Sequence, residues 1–124
     1  MANAINWFEI PVTDFQRAEK FYAAVVGSDL YEMQMGDQLM GFFPMGEDNK
    51  GVGGAIVQGP GNEPGDKGTL VYLNAGEDLS AALGRVEPAG GKIVMPKTLI
   101  TDEIGYFAIF MDTEGNRVAF HSQK

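Results

Sequence analysis

The order of apolar and polar positions changes period along the chain, and the same succession of periods occurs twice. In residues 4–12 apolar and polar side chains alternate, which is the two-residue period of a strand with two different faces. Apolar residues then recur at intervals of three and four, which predicts one buried stripe on a helix. Three short apolar runs follow. The first half of the chain therefore predicts the order strand, helix, strand, strand, strand.

The first predicted helix has recognisable signals at both ends. Thr13, with Gln16 three residues later, has the pattern of a capping box, and Asp14 suits the positive end of the helix dipole. Gly27 is placed to end the helix in a left-handed conformation. The apolar stripe between them consists of Ala18, Phe21, Tyr22 and Val25. The strands predicted after it span 30–35, 38–43 and 53–58, with turns at 36–37 and 45–51.

The second half repeats this order after a stretch that predicts a linker. Residues 59–68, with the sequence GPGNEPGDKG, are rich in Gly, Pro and polar residues. A strand over 70–75 precedes Asp78, the predicted N-cap, and Pro88 with the following glycines predicts the end of the helix. Gly115 lies in a tight turn at a position that requires positive φ. The stripe is Leu79, Ala82, Leu83 and Val86, and the later strands span 93–95, 106–111 and 117–121, with the turn at 112–116.

These patterns predict a single α+β domain built from two paired βαβββ modules. One module spans residues 1–58 and the other residues 69–124, with the linker at 59–68 between them. In each module a single helix covers only one face of the four-stranded sheet, so the other face needs a packing partner. Pairing the modules would produce a curved, cup-shaped mixed sheet with the helices outside. The concave face of such a sheet is where a small ligand would bind.

Composition and charge exclude several classes of function. A length of 124 residues with 44% hydrophobic residues fits one domain. The net charge of -8 would repel a phosphate backbone, so nucleic-acid binding is not expected. The sequence has no cysteine, which excludes disulfides and thiolate chemistry. Neither a signal-peptide pattern nor the ~20 apolar residues of a membrane span is present, which predicts a cytoplasmic protein without membrane contact.

Several short motifs, in their order along the chain, resemble the glyoxalase/bleomycin-resistance/dioxygenase superfamily, also called the vicinal oxygen chelate superfamily. The motifs are FEIPVTD at 8–14, RA at 17–18, FY at 21–22 with Gly27, VYLN at 71–74, DL at 78–79 with AAL at 81–83, and GGK at 90–92. The strongest match is DTEGNRV at 112–118, which resembles the family's D-P-x-G-N-x-[IV] hairpin, with Thr113 where proline is usual.

The resemblance implies paired βαβββ modules and a homodimer. Enzymes of the family, including lactoylglutathione lyase, hold a divalent metal through one His or Glu ligand from each of four strands. That metal chelates two neighbouring oxygens of the substrate, in reactions such as isomerisation, ring cleavage and thiol addition. Other members only bind a drug and use no metal.

The four positions that match the family's metal ligands carry side chains that cannot bind a metal. A divalent ion requires N, O or S donors, and neither an indole nor an aliphatic carbon supplies one. We therefore expect no metal at the family's usual site and no other cofactor. The four positions are Trp7, a position near Ala55, Leu70 and Ala119.

The residues predicted to line the cup follow from these positions and from strand alternation. They are Trp7, Glu9, Leu70, Tyr72, Asn74, Ala119 and His121, with Arg117 on the same face. Three of them, Glu9, Tyr72 and His121, have the chemistry of a general acid or base. Each also has an ordinary structural interpretation: Glu9 as a salt-bridged rim residue, Tyr72 as a sheet-surface residue and His121 as a surface histidine.

Three functions remain open at this point. The first is metal-independent binding of a small, partly apolar organic molecule in the cup. The second is a glyoxalase-related lyase or isomerase that uses a non-standard metal or a metal-free acid/base pair. The third is a non-catalytic dimeric interaction domain. The expected partners are a second copy of the chain and a small organic molecule.

Overall fold

The computed structural model of the chain describes residues 4–45 and 51–124. Within them the chain forms eight strands and two helices in two four-stranded sheets, ordered β1-β4-β3-β2 and β5-β8-β7-β6. Neither helix has the length and hydropathy needed to cross a bilayer in this part of the chain. In chain order the elements are β1 (Trp7–Pro11), α1 (Phe15–Val26), β2 (Tyr31–Met35), β3 (Gln38–Phe42), β4 (Gly53–Gln58), β5 (Tyr72–Asn74), α2 (Ser80–Gly84), β6 (Lys92–Thr101), β7 (Gly105–Met111) and β8 (Arg117–Ser122).

The α+β class and the repeated order strand, helix, three strands are confirmed. The first module comprises β1 to β4 with α1, and the second comprises β5 to β8 with α2. Residues 59–68 form neither helix nor strand, as predicted for the linker. The predicted turn over 45–51 lies mostly outside the described residues. β1 and β5 are both shorter than predicted, although Val12 still donates to Val57 of β4 and Ala75 to His121 of β8 beyond the strand ends.

The strand predicted over 93–95 is wrong in length, since β6 continues to Thr101. Pro96 lacks the amide hydrogen that a central strand needs, which argues against a continuous strand. However, β6 is an edge strand that pairs only with β7. The ladder shifts register between Met95 and Thr98, so the proline lies where a ladder hydrogen bond is already interrupted. A tertiary position at the sheet edge therefore tolerates the proline.

Helix α1 begins one residue later than its capping-box pattern indicates. Asp14, and not Thr13, is the N-cap, with an extended φ of -117° and a side chain that accepts from the amide of Arg17 at 3.1 Å. The amide of Thr13 donates instead to the Glu114 carboxylate of the second module at 2.9 Å. At the other end Gly27 has the predicted left-handed conformation, with φ 78°. The whole predicted stripe is buried, as the helical period requires.

Helix α2 is shorter than predicted, because it ends at Gly84 and not beside Pro88. Glycine is a poor helix former, and residues 85–90 continue as turns. The N-cap of α2 is Leu79, which makes no side-chain cap hydrogen bond, and not the predicted Asp78. The Asp78 carboxylate, one residue earlier, accepts from the amide of Ser80 at 2.9 Å. This backbone hydrogen bond, together with the nearby Lys97 ammonium, lowers the pKa of the Asp78 carboxyl. The apolar stripe of α2 is buried as predicted.

Each sheet packs one of its faces against the main hydrophobic core, and its other face points away from that core. The core joins the stripes of both helices to the inward side chains of both sheets, among them Ile10, Ile56, Phe110 and Phe120. A second, smaller cluster of Met40, Ala55 and Val57 lies on the opposite face of the first sheet. The helices therefore lie on the outer side of both sheets, as predicted. We call the face opposite the helices the cup face; it carries Trp7 and Glu9 in the first sheet, and Tyr72 and His121 in the second.

The modules are joined by side-chain packing, and no strand ladder connects the two sheets within residues 4–45 and 51–124. Phe21 of α1 packs on Phe110 of β7, with ring centroids 5.9 Å apart. At the β1 edge the Pro11 carbonyl accepts from the Asn116 side-chain amide at 2.7 Å. Pro11 also has no amide hydrogen to donate. This end of β1 is therefore closed to pairing with a strand of the second sheet.

Candidate functional site

Trp7 and Glu9 lie together on the cup face of the first sheet, as strand alternation predicts. The indole Nε1 donates to the Glu9 carboxylate at 3.2 Å. Trp7 is 39% exposed, so its ring belongs to the surface and not to the core. The register places Trp7 beside Gly53 of β4, where a Cβ atom would lie 2.9 Å from the indole ring. The indole therefore lies across the glycine, which leaves space for it.

A hollow of about 440 Å³ surrounds this indole, and most of its walls are residues that the sequence analysis did not identify. Tyr31 of β2 and Phe42 of β3 are paired in the register and both line the hollow. Met45 completes the apolar wall beside Trp7. That Tyr31 and Phe42 are aromatic is evident from the sequence. The strand order β1-β4-β3-β2 that brings them close to Trp7 is not.

Tyr72, Asn74 and His121 line a second hollow, of about 410 Å³, on the cup face of the second sheet. Tyr72 is 51% exposed. The Asn74 side chain accepts from the amide of Gly76 at 2.9 Å, which orders the turn after β5. The His121 ring nitrogen Nε2 donates to the Ile104 carbonyl at 2.6 Å, which leaves Nδ1 as an acceptor in the neutral ring. Two of the three side chains thus also stabilise neighbouring turns.

Leu70 lies in a third, more apolar cleft of about 520 Å³ between the two modules. Ile5, Phe8 and Val52 form its first wall, and residues 69–74 form the other. Tyr72 and Asn74 border this cleft as well as the second hollow. The cleft is therefore the place where the first module comes nearest to the predicted cup residues of β5.

Glu9 borders a small polar cleft of about 160 Å³ together with Glu63, Lys67 and Arg117. The acid/base candidates are thus divided between two places, Glu9 here and the pair Tyr72 and His121 in the second hollow. The structure distributes six of the seven predicted cup residues over these four hollows, whereas the seventh, Ala119, is completely buried. Their roles in catalysis or binding remain predictions.

The side chains at the family's four metal positions do not fit a divalent metal. Ala55 and Ala119 are completely buried methyl groups, with 0% exposure. The indole nitrogen of Trp7 is a donor that is directed at Glu9, and Leu70 has only carbon atoms to offer. Among the described residues, no group of three His, Cys, Asp or Glu side chains could hold a metal ion.

Asp112 organises the hairpin between β7 and β8 and ties it to α1. This buried carboxylate accepts from the Tyr22 hydroxyl at 2.6 Å and from the amide of Asn116 at 2.8 Å. The Asn116 side chain donates to the same carboxylate at 2.9 Å. Burial, and then the charge of Asp112, raise the pKa of Tyr22 well above its ordinary value. Gly115 has φ 89°, which confirms the predicted turn.

Glu114 of the same hairpin occupies the N-terminus of α1. Its side chain is 0% exposed and accepts from the amides of Thr13 and Asp14 at 2.9 and 2.7 Å, and from Arg17 Nε at 2.7 Å. Burial alone would raise the pKa of the Glu114 carboxyl, but the hydrogen bonds from Arg17, Asp14, Thr113 and Thr13 lower it to about 2. Residues 112–116 therefore hold the two modules together.

The comparison with known families agrees with this fold. Residues 4–120 match the family described as Glyoxalase/Bleomycin resistance protein/Dioxygenase superfamily. The chain belongs to this superfamily. Comparison with curated protein sequences gives no match.

Three solved structures with this fold are similar over almost all of the chain. A glyoxalase/bleomycin resistance protein from Albidiferax ferrireducens T118 is 17% identical, with a TM-score of 0.73 over 98% of this chain and 100% of that one. Glyoxalase I from Zea mays is 18% identical, with a TM-score of 0.72 over 95% of this chain, which spans only 44% of the maize chain. TnmS3, an antibiotic-binding protein from Streptomyces sp. CB03234, is 26% identical, with a TM-score of 0.65 over 100% and 99% of the two chains.

Proposed function

We propose that the protein binds a small, partly apolar organic molecule on its cup face without a metal ion. The observation that supports this proposal is the exposure of large aromatic side chains on the sheets: Trp7 is 39%, Tyr31 67% and Tyr72 51% exposed. Apolar side chains that are exposed as a group often mark a binding surface, whereas single exposed apolar residues are common on any protein surface. The polar side chains beside them, such as Glu9 and Asn74, would orient a polar group of the ligand.

The similarity to TnmS3 supports a binding function of this kind. That protein is described as antibiotic-binding and matches this chain over its whole length at 26% identity. The chemistry of Trp7, Ala55, Leu70 and Ala119 supports the metal-independent form of the proposal, because these side chains offer no metal donor.

We propose a cytoplasmic homodimer as the binding form. Further exposed apolar side chains, including Ile5 at 54% and Val52 at 38%, border the cleft between the modules. A second copy placed against this edge would cover them. Sedimentation analysis of the purified protein tests this; a monomer at all accessible concentrations would contradict it.

A thermal-shift screen with aromatic and antibiotic-like compounds tests the binding function. A ligand at roughly 100 times its Kd stabilises a protein by about 2.7 kcal/mol, which a thermal shift detects readily. We expect at least one compound to raise the Tm, with the same shift after treatment with a chelator. The proposal fails if a broad set of compounds at high excess leaves the Tm unchanged. Stoichiometric metal in elemental analysis, lost together with binding upon chelation, would contradict its metal-independent form.

A further inference from the structure

Three aromatic rings form a row across the cup face of the first sheet. The Trp7 and Phe42 rings meet edge to face, with centroids 5.7 Å apart and an interplanar angle of 65°. The Phe42 and Tyr31 rings are nearly parallel, with centroids 6.2 Å apart at 15°. We call Trp7, Phe42 and Tyr31 the aromatic platform. Its rings come from β1, β3 and β2, so the register of a whole sheet sets their spacing.

Small residues of β4 keep the platform open. Gly53 and Ala55 lie between the rings of β1 and β3 in the register. Gly53 has no side chain, and Ala55 contributes only a buried methyl group. No large β4 side chain therefore projects between Trp7 and Phe42, and the hollow of about 440 Å³ lies over the rings.

Among the described residues, Asp29 is the charged residue that lines the hollow over the platform, and Glu9 at the platform edge also borders the cleft that contains Lys67 and Arg117. Glu9 accepts from the Trp7 indole at 3.2 Å at one edge, and Asp29 lines the hollow at the other. None of the described residues that line this hollow is a lysine or arginine. The whole chain has a net charge of -8. The faces of aromatic rings are also electron-rich, so rings and carboxylates attract a positive charge together.

We infer that the aromatic platform binds a flat aromatic cation, with the ring system of the ligand against Trp7, Phe42 and Tyr31 and its positive charge near Glu9 and Asp29. This inference rests on the proposed function and names its ligand class. A neutral ring system would gain only the stacking contacts. An anion would meet two carboxylates and the electron-rich ring faces.

Three acridines of nearly the same shape separate charge from shape. At mildly alkaline pH 9-aminoacridine is a cation, acridine is neutral and acridine-9-carboxylate is an anion. Isothermal titration of each into the purified protein gives the three affinities. We expect 9-aminoacridine to bind about tenfold more tightly than acridine, with acridine-9-carboxylate the weakest. High ionic strength should reduce the preference for the cation.

Matched variants locate the site and its charge. Trp7→Ala and Tyr31→Ala should each weaken both acridine and 9-aminoacridine at least about tenfold, since stacking on one ring contributes roughly this much. Leu99→Ala, which removes another exposed apolar side chain from the second sheet, should change neither affinity. The double variant Glu9→Gln with Asp29→Asn should remove most of the cation preference and keep acridine binding. The exposed Glu77→Gln should leave that preference unchanged.

Each alternative result has a distinct meaning. Equal affinities for the cation and acridine, both weakened by Trp7→Ala, would overturn the cation preference and leave small-molecule binding intact. If the affinity for acridine is unchanged in both Trp7→Ala and Tyr31→Ala, the platform is not the binding site. A dimer that dissociates in Tyr31→Ala, with no acridine bound by the original protein, would identify a second copy as the occupant and overturn the inference. The proposed function itself fails only if the broader compound screen also gives no shift.

Discussion

The two ends of strand β1 differ in how their side chains and backbone groups are covered by the rest of the protein. At its C-terminal end the Pro11 carbonyl accepts from Asn116, and Glu114 accepts from the amides of Thr13 and Asp14 just beyond the strand. At its N-terminal end the Trp7 ring is 39% exposed and makes one hydrogen bond, to the exposed Glu9. Polar groups are satisfied within the protein at one end, while apolar surface remains uncovered at the other.

This difference separates the structural from the functional part of the family pattern. The motif at 112–118 resembles the family most closely, and its side chains link the modules. The positions that would hold the family's metal have instead become apolar, as at Trp7 and Ala119. Buried hydrogen-bond networks are costly to disturb, whereas an exposed ring can change with little loss of stability. A family resemblance can therefore persist in the scaffold after the chemistry of the site has changed.

Asp112→Ala should have the largest effect on stability. The substitution leaves the buried Tyr22 hydroxyl and the Asn116 amides without their acceptor. We expect the free energy of unfolding to fall by roughly 3 kcal/mol or more, measured by urea titration. The same change at the exposed Asp102 is the control and should cost less than about 0.5 kcal/mol. Equal losses in the two variants would show that the C-terminal end of β1 is not locked by this hairpin.

Glu114→Gln should come next and should also reveal a pH dependence. The folded pKa of Glu114 is about 2, below the ordinary 4.5, so its ionised form stabilises the protein above pH 4.5. We expect a loss of roughly 2–3 kcal/mol at neutral pH. The difference from the original protein should shrink as the pH falls from 4.5 towards 2, because the carboxylate is then protonated.

The exposed Glu77→Gln is the control for charge and should give no such pH-dependent difference. Urea titrations at several acidic pH values supply the measurement. A Glu114→Gln difference that stays constant throughout this pH range would contradict the role assigned to the ionised carboxylate.

Gly54→Ala in β4 should have an intermediate effect on stability, because Gly54 pairs with Phe8 in the middle of β1. A Cβ atom at Gly54 of β4 would overlap the ring of Phe8, its register partner. Overpacking of this kind typically costs about 1–3 kcal/mol. Gly65→Ala is the matched control, since its added methyl group would have no atom within 4 Å. Similar urea midpoints for both variants would show that β1 and β4 can separate without cost.

Trp7→Phe should have the smallest effect on stability. The variant keeps a ring beside Phe42 and loses only the exposed bond to Glu9, so we expect a change within about 0.5 kcal/mol. Tyr22→Phe removes one donor from a buried ring and should cost about 1.5–3 kcal/mol, because Tyr22 donates to the buried Asp112 carboxylate. Urea titration of both variants provides the test. A loss at Trp7 as large as that at Tyr22 would contradict the difference between the two ends of β1.

Much of the fold could be predicted because its signals are local. The stripe of α1 is fully buried, β4 has the predicted bounds Gly53–Gln58, and Gly27 and Gly115 have positive φ. Less of the site could be predicted. Trp7 and Glu9 share a face as alternation requires, but Tyr31 and Phe42 were not identified, because they reach Trp7 only through the order of the strands.

The sequence by itself determined the α+β class, the repeated order of elements and the absence of donors at the family's metal positions. Period and side-chain chemistry are properties of neighbouring residues, so they can be read along the chain. Only the tertiary structure decided that Glu114 of the distant hairpin accepts from the amides of Thr13 and Asp14 at the start of α1. It also decided which rings meet on the cup face. Register and contacts between modules depend on how distant segments pack, and no local pattern specifies that packing.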